Sequence, residues 1–271
     1  MKLLTTFMML LASCSLIQIG GYYNPPSRIE VLSNTKYIWE EDSTENFYFL
    51  YESDTESQQY LDSAKDFFEK GYSKILSFLE LKSYDKKLTL FMIDSYSKMH
   101  DLIGWKSNGI AKPEDNTVFQ IFNDSIRTFG MHEFCHVISF NEWGKFEEIW
   151  VSEGLAVSSD DKWWNFELHS LVNYLYANNK FVPIKKIISD FHSHSDLYSY
   201  PECGSFIKFI KSKYGLEFVK FLWSEGEIAF YNHLQKDVSE IENEWLEEIR
   251  KYDYLKIDYS EKVYSKLGIR L

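Results

Sequence analysis

The sequence predicts an α+β fold: a mixed α/β part with a small sheet, followed by an all-helical part. Three observations lead to it. Strand-like runs rich in aromatic and apolar residues stand at 46–53, 87–94 and 116–123, separated by stretches of helical periodicity. Beyond residue 147 the apolar spacing is almost entirely helical. The pentapeptide HEFCH (132–136) lies where one regime gives way to the other. Strands alternating with helices imply a sheet packed on helices. The expected domain therefore covers 46–260, with an α/β part at 46–146 and a helical part at 147–260.

Taken in order, the chain opens on MKLLTTFMMLLASCS, with one basic residue (Lys2), an apolar stretch from Leu3 to Leu11, and small residues before Cys14. That stretch is too short to span a bilayer and reads as an export signal over 1–13. Paired Gly and paired Pro in SLIQIGGYYNPPSR mark a tether, and 14–45 is expected to be a membrane-proximal lead-in. NFYFLYES (46–53) is a strand. Ser53 and Glu56 then fit a capping box. Apolar residues at Tyr60, Ala64, Phe67, Phe68, Tyr72, Ile75, Leu76 and Leu79 give the following helix one buried face. KLTLFMID (87–94) reads as a buried strand, and SYSKMHDLIG (95–104) as a short helix ended by Gly104. After a loop rich in Gly, Asn and Pro comes the strand NTVFQIFN (116–123), which is either a sheet edge or a strand paired on both sides. Asp124 is the expected N-cap of a helix over 124–140. Helices continue through SFIKFIKSKYG, LEFVKFLW and ENEWLEEIRKY.

Composition narrows the function. The 271 residues are 45% hydrophobic, ample for a real core, and carry a net charge of −12. With no basic run, a nucleic-acid partner is excluded. The acidic residues are scattered and read as a solvated surface. Apart from Cys14 the cysteines are Cys135 and Cys203, and two free thiols are favoured over a disulfide.

On a helix, His132 and His136 lie one turn apart on the same face, and Glu133 borders that face. Met131, Cys135 and Ile138 form the packing stripe opposite. Two histidines at this spacing can hold one metal ion, with the glutamate reaching a water beside it. A hydrolytic zinc site needs a third protein ligand. Glu153, in WVSEGLAV, follows His136 at a distance that lets the chain turn near Gly144 and return as a second helix. Glu142 is the rival, standing where the metzincin pattern has its third histidine, although Ser139 replaces the glycine of that pattern. The inert alternative is an exposed face with no ligand. HSH (192–194) reads as a polar loop rather than a metal pair. Trp150 is expected to pack the second helix on the first. His100, His169 and His233 have no partner at ligand spacing.

HEFCH followed by WVSEGLA resembles the gluzincin zinc metallopeptidases. PIKKIISDF (183–191) with YPECGSFIKFIKSKYG (200–215) is similar to the corresponding segment of the bacterial peptidase-MA-like group, so the resemblance runs over roughly residues 46–225. Cys203 replaces the usual alanine, and the interval from His136 to Glu153 is slightly short. The resemblance implies a thermolysin-like catalytic core with a zinc cleft between the two parts. It makes His132, His136 and Glu153 the Zn2+ ligands, Glu133 the general base, and Tyr200 the donor to the oxyanion, with Tyr198 close behind. It also implies a peptide or protein substrate, bound in the family as an added strand on a sheet edge. LASC resembles the lipobox of bacterial lipoproteins, which implies acylation of Cys14 and anchoring to the lipid bilayer at the cell envelope. The expectation is a lipid-anchored zinc metallopeptidase. Its alternatives are a non-catalytic zinc-containing lipoprotein that binds peptides, and a structural lipoprotein in which HEFCH is accidental.

Overall fold

Alternation along the strands divides the sheet into two apolar faces, and each recruits its own helices. The computed structural model describes residues 24–126, 130–163 and 166–254. The export signal, Cys14 and the end of the expected domain at 255–260 lie outside the described residues. In chain order come α1 (Arg28–Ser33), β1 (Glu40–Ser43), β2 (Phe47–Tyr51), α2 (Leu61–Phe78), β3 (Leu88–Ile93), α3 (Tyr96–Ile103), β4 (Gly109–Lys112), β5 (Thr117–Ile121), α4 (His132–Trp143) and α5 (Ile149–Asp160). The remainder holds β6 (Lys162–Trp163), β7 (Phe166–Glu167), α6 (Leu168–Ala177), α7 (Ile184–Ser189), α8 (Asp196–Tyr214), α9 (Leu216–Glu225), α10 (Ile228–Leu234) and α11 (Val238–Ile249). The fold is α+β, as the sequence predicts.

The five-stranded sheet has the order β1-β2-β3-β5-β4, with β2, β3 and β5 parallel and the two outer strands antiparallel to their neighbours. One face carries Phe47, Phe49, Leu88, Leu90, Met92, Val118 and Phe122, which pack on α2 and α4. There Phe47, Phe68 and Phe134 meet with ring centroids 5.2–6.0 Å apart. The other face presents Leu50, Phe91, Ile93, Phe119 and Ile121 to Val31 of α1 and to Met99 and Ile103 of α3. The first core runs on without a break into the helices of the second half, as far as Trp245 and Ile249 of α11.

Several expectations are corrected. Of the two readings left open for NTVFQIFN the paired strand holds, because β5 is paired with β3 on one side and β4 on the other. The edge on that side of the sheet is β4, in the stretch expected to be loop. Its short run GIAK carries too little pattern to announce a strand, and pairing with β5 creates it. Residues 28–33 and 40–43, expected as lead-in, form α1 and the outer strand β1. Ser53 caps no helix. Asp54 takes a left-handed conformation (φ 59°), the Ser53 hydroxyl turns to Glu40, and a tight turn at Ser57–Tyr60 precedes α2. The segment from Asp124 is not yet helical. Asn123 Oδ1 accepts the N–H groups of Ser125 and Ile126, the Asp124 carboxylate accepts from the Tyr60 hydroxyl, and α4 starts only at His132. The second half is not all-helical, since β6 and β7 form a short antiparallel ladder.

Candidate metal centre

The helix carrying HEFCH has no cap of its own: no side chain of its N-terminal residues bonds its first N–H groups. Asp160, at the far end of α5, accepts the Met131 N–H at 3.2 Å instead. The next helix thus caps the first, tying the element that holds the histidines to the one that holds Glu153. Gly144 (φ 82°) ends α4 and lets the chain turn back. The turn near Gly144 matches the expected one.

This return brings His132, His136 and Glu153 together, all buried, their ligand atoms within 4.8 Å of one another. His132 Nε2 lies 3.0 Å from His136 Nε2 and 3.2 Å from Glu153 Oε2, and His136 Nε2 lies 3.4 Å from the same oxygen. Ligands placed about 2.05 Å from a tetrahedral ion stand about 3.3 Å apart, so these three atoms have the spacing of three corners of such a site. The group can hold a metal ion. The exposed, inert face is ruled out: His132 to Ser139 are buried all round the helix, as is α5 from Ile149 to Ser158.

Charge and hydrogen bonding point the same way. Burial alone would lower the His132 pKa, but Glu153, Glu133 and Asp160 outweigh it and hold the imidazole at about 9. Burial pushes Glu153 up, and the two imidazoles overcome it, leaving the carboxyl at about 2. The cluster therefore favours a positive charge at its centre. His136 Nδ1 lies 3.0 Å from the Ser152 hydroxyl, which fixes the ring and leaves Nε2 facing its neighbours. Both oxygens of Glu133 and Oε1 of Glu153 are buried with no hydrogen-bond partner among the described residues. Buried carboxylate oxygens need a donor or a cation, so the orphaned atoms suit a bound ion with water beside it.

Glycines set the position of Glu153. A Cβ on Gly154 would lie 2.8 Å from the Cys203 carbonyl oxygen, and one on Gly204 would lie 2.3 Å from Val157. α5 and α8 cross closely here, Gly154 against the α8 backbone and Gly204 against the Val157 side chain. The crossing also brings Tyr200 near the centre, fully buried, its ring centroid 6.5 Å from that of His132. Tyr200 stacks on Trp163 at 5.5 Å and meets the edge of Phe191 at 5.0 Å. Tyr198 packs instead with Leu171, Leu175 and Leu197.

The other expected residues fall elsewhere. Glu142 is exposed on the last turn of α4, on the side of Tyr84, and takes no part in the cluster. Trp150 is buried in the same core as Phe134, Val137 and Ile138 of α4, its ring centroid 6.0 Å from that of Phe206 of α8. His192 is exposed against Phe191, and the HSH pair joins no metal group among the described residues. Cys135 and Cys203 are free and buried, and burial pushes the Cys135 thiol up to about 12. Ser152, Asp160 and Gln120 escaped the sequence reading. The first two look like ordinary helix residues, and only Gln120, a polar residue between apolar neighbours in a buried strand, carried a signal. No family model matches the chain, and no curated protein is significantly similar to it.

Proposed function

We propose that this chain is a zinc-dependent metallopeptidase of the gluzincin type, held at the cell envelope by acylated Cys14. The observation that carries the reading is the buried His132–His136–Glu153 triangle beside a glutamate, Glu133, with both oxygens unpartnered among the described residues. His132, His136 and Glu153 would be the zinc ligands. Bound there, zinc would supply a fixed positive charge that lowers the pKa of a nearby water and polarises a carbonyl. Glu133 accepts a proton from the attacking water and passes it to the leaving nitrogen. Burial strengthens each of these electrostatic interactions. Tyr200 is the proposed donor to the oxyanion.

The substrate is proposed to be a peptide in extended form. β4 has one neighbour in the sheet, and beyond Gly109, whose N–H and C=O both meet the Ser107 hydroxyl, its outer side is the proposed place for a strand added from outside. A Cβ on Gly109 of β4 would lie 3.1 Å from Glu133 Cγ, so a peptide along this edge passes close to the proposed base. The thermolysin-like cleft would then lie between β4 and the helices from α5 onward.

Glu133→Gln tests the assignment. The variant should keep about one zinc per chain yet lose peptide hydrolysis by about 10²-fold or more. Full activity in this variant would refute the mechanism. Mass spectrometry of Cys14 tests the anchor: a chain that retains Met1 and an unmodified thiol would remove it.

A further inference from the structure

Along β5 the side chains alternate between the two faces of the sheet, and those facing α4 are Val118, Gln120 and Phe122. Two of them belong to the apolar core. Gln120 is the exception, 1% exposed in a place where a methionine or leucine would cost nothing to bury. Its Nε2 donates to the Gly130 carbonyl at 3.2 Å, just ahead of α4. That bond fixes the orientation of the amide, because the reversed amide would set two acceptors against each other. The carbonyl Oε1 is thereby aimed away from Gly130, and it is buried without a partner among the described residues.

The glycine across the ladder places the Gln120 side chain beside Glu133. Gly109 pairs directly with Gln120. A Cβ built on Gly109 would lie 3.2 Å from Gln120 Cγ and equally 3.2 Å from Glu133 Oε1. The two side chains therefore converge over the one residue of β4 that leaves them room. Of the seven buried side-chain atoms without a partner among the described residues, four are oxygens of Gln120, Glu133 and Glu153. All four are acceptors, and an amide carbonyl beside a carboxylate cannot satisfy itself. A molecule with two hydrogens to give satisfies one of each.

We propose that Gln120 is a water-binding residue of the site, its Oε1 accepting one hydrogen of the water whose other hydrogen Glu133 takes. This rests on the metallopeptidase reading for its chemistry, but the water site itself does not. In the reaction, Glu133 removes one proton while the hydrogen held by Gln120 stays on the oxygen as that oxygen adds to the carbonyl carbon. Holding both hydrogens leaves the oxygen lone pair directed at the substrate, which is an orientational contribution.

A high-resolution crystal structure of the wild-type chain, paired with kinetics of Gln120→Met, tests it. The expected structure has an ordered water within hydrogen-bond distance of both Gln120 Oε1 and a Glu133 oxygen. The expected variant keeps its zinc stoichiometry, and its kcat falls about 10²-fold with KM nearly unchanged. Oε1 bonded to another protein group, or no water there, overturns the proposal. So does a variant with a lower Tm and unchanged kcat, or one in which KM alone rises. If Gln120→Met fails to fold, the wild-type water decides the matter. A bridging water in a zinc-loaded wild type that cleaves no peptide would remove the peptidase reading and leave the water site standing.

Discussion

Gly154→Ala puts one methyl group into the contact that positions Glu153. The new Cβ would lie 2.8 Å from the Cys203 carbonyl oxygen and 2.7 Å from Ile207 Cγ1. Ile207 can rotate, but the carbonyl belongs to the backbone of α8 and moves only with its helix. Ordinary contact begins at 3.4 Å, so α5 and α8 must separate by about 0.6 Å. Overpacking of this kind costs about 3 kcal/mol at its upper end. Alanine in place of glycine inside a helix returns about 1 kcal/mol. The net loss of about 2 kcal/mol lowers Tm by roughly 4–8 °C in a chain of this size. Glu153 rides on the displaced helix, and metal–ligand distances tolerate only about 0.2 Å. Zinc affinity should therefore fall at least tenfold. Thermal melting with and without zinc, plus a competition titration against a chelator, reads both effects. A variant that melts at or above wild type with unchanged zinc affinity would refute the argument that backbone contact between α5 and α8 sets the ligand.

Other consequences follow from individual contacts. Glu153→Gln should abolish or greatly weaken zinc binding, whereas Glu142→Gln should leave it intact; the reverse pattern, read by zinc content, would move the site to a metzincin-like arrangement. Ser152→Ala removes the bond to His136 Nδ1, and zinc affinity should drop about 10–100-fold with little change in Tm of the metal-free chain. His169 is buried against Ser205, and burial, reinforced by Lys208, lowers its pKa to about 4. The unfolded chain binds this proton from about pH 6.5 downward and the folded chain does not, so its stabilisation is complete above pH 6.5 and is lost as pH falls towards 4. It amounts to about 3 kcal/mol. His169→Asn, which keeps an acceptor for Ser205, should flatten the fall in urea-unfolding stability between pH 7 and 4.5; an identical slope would exclude His169 as its source.

The sequence by itself determined whatever depends on neighbours along the chain. The i, i+4 spacing puts His132 and His136 on one helical face. Apolar periodicity gave α2, α3 and the strands β2, β3 and β5. Ser95 and Gly104 bounded α3, and Gly144 ended α4. These features need only backbone geometry and local propensity to be read. Even there, local signals failed where distant partners competed: Ser53 and Asp124 have the chemistry of caps, but Glu40 and Tyr60 engage them. Only the tertiary structure decided which glutamate meets the histidines, which strand forms the edge, and that Asp160 caps α4. It also decided that Gln120 and Glu133 converge over Gly109. Each of these depends on packing between segments far apart in the chain. The crossing of α5 with α8 brings Glu153 and Tyr200 to the histidines, and the pairing of β4 with β5 turns an unremarkable loop into the border of the site.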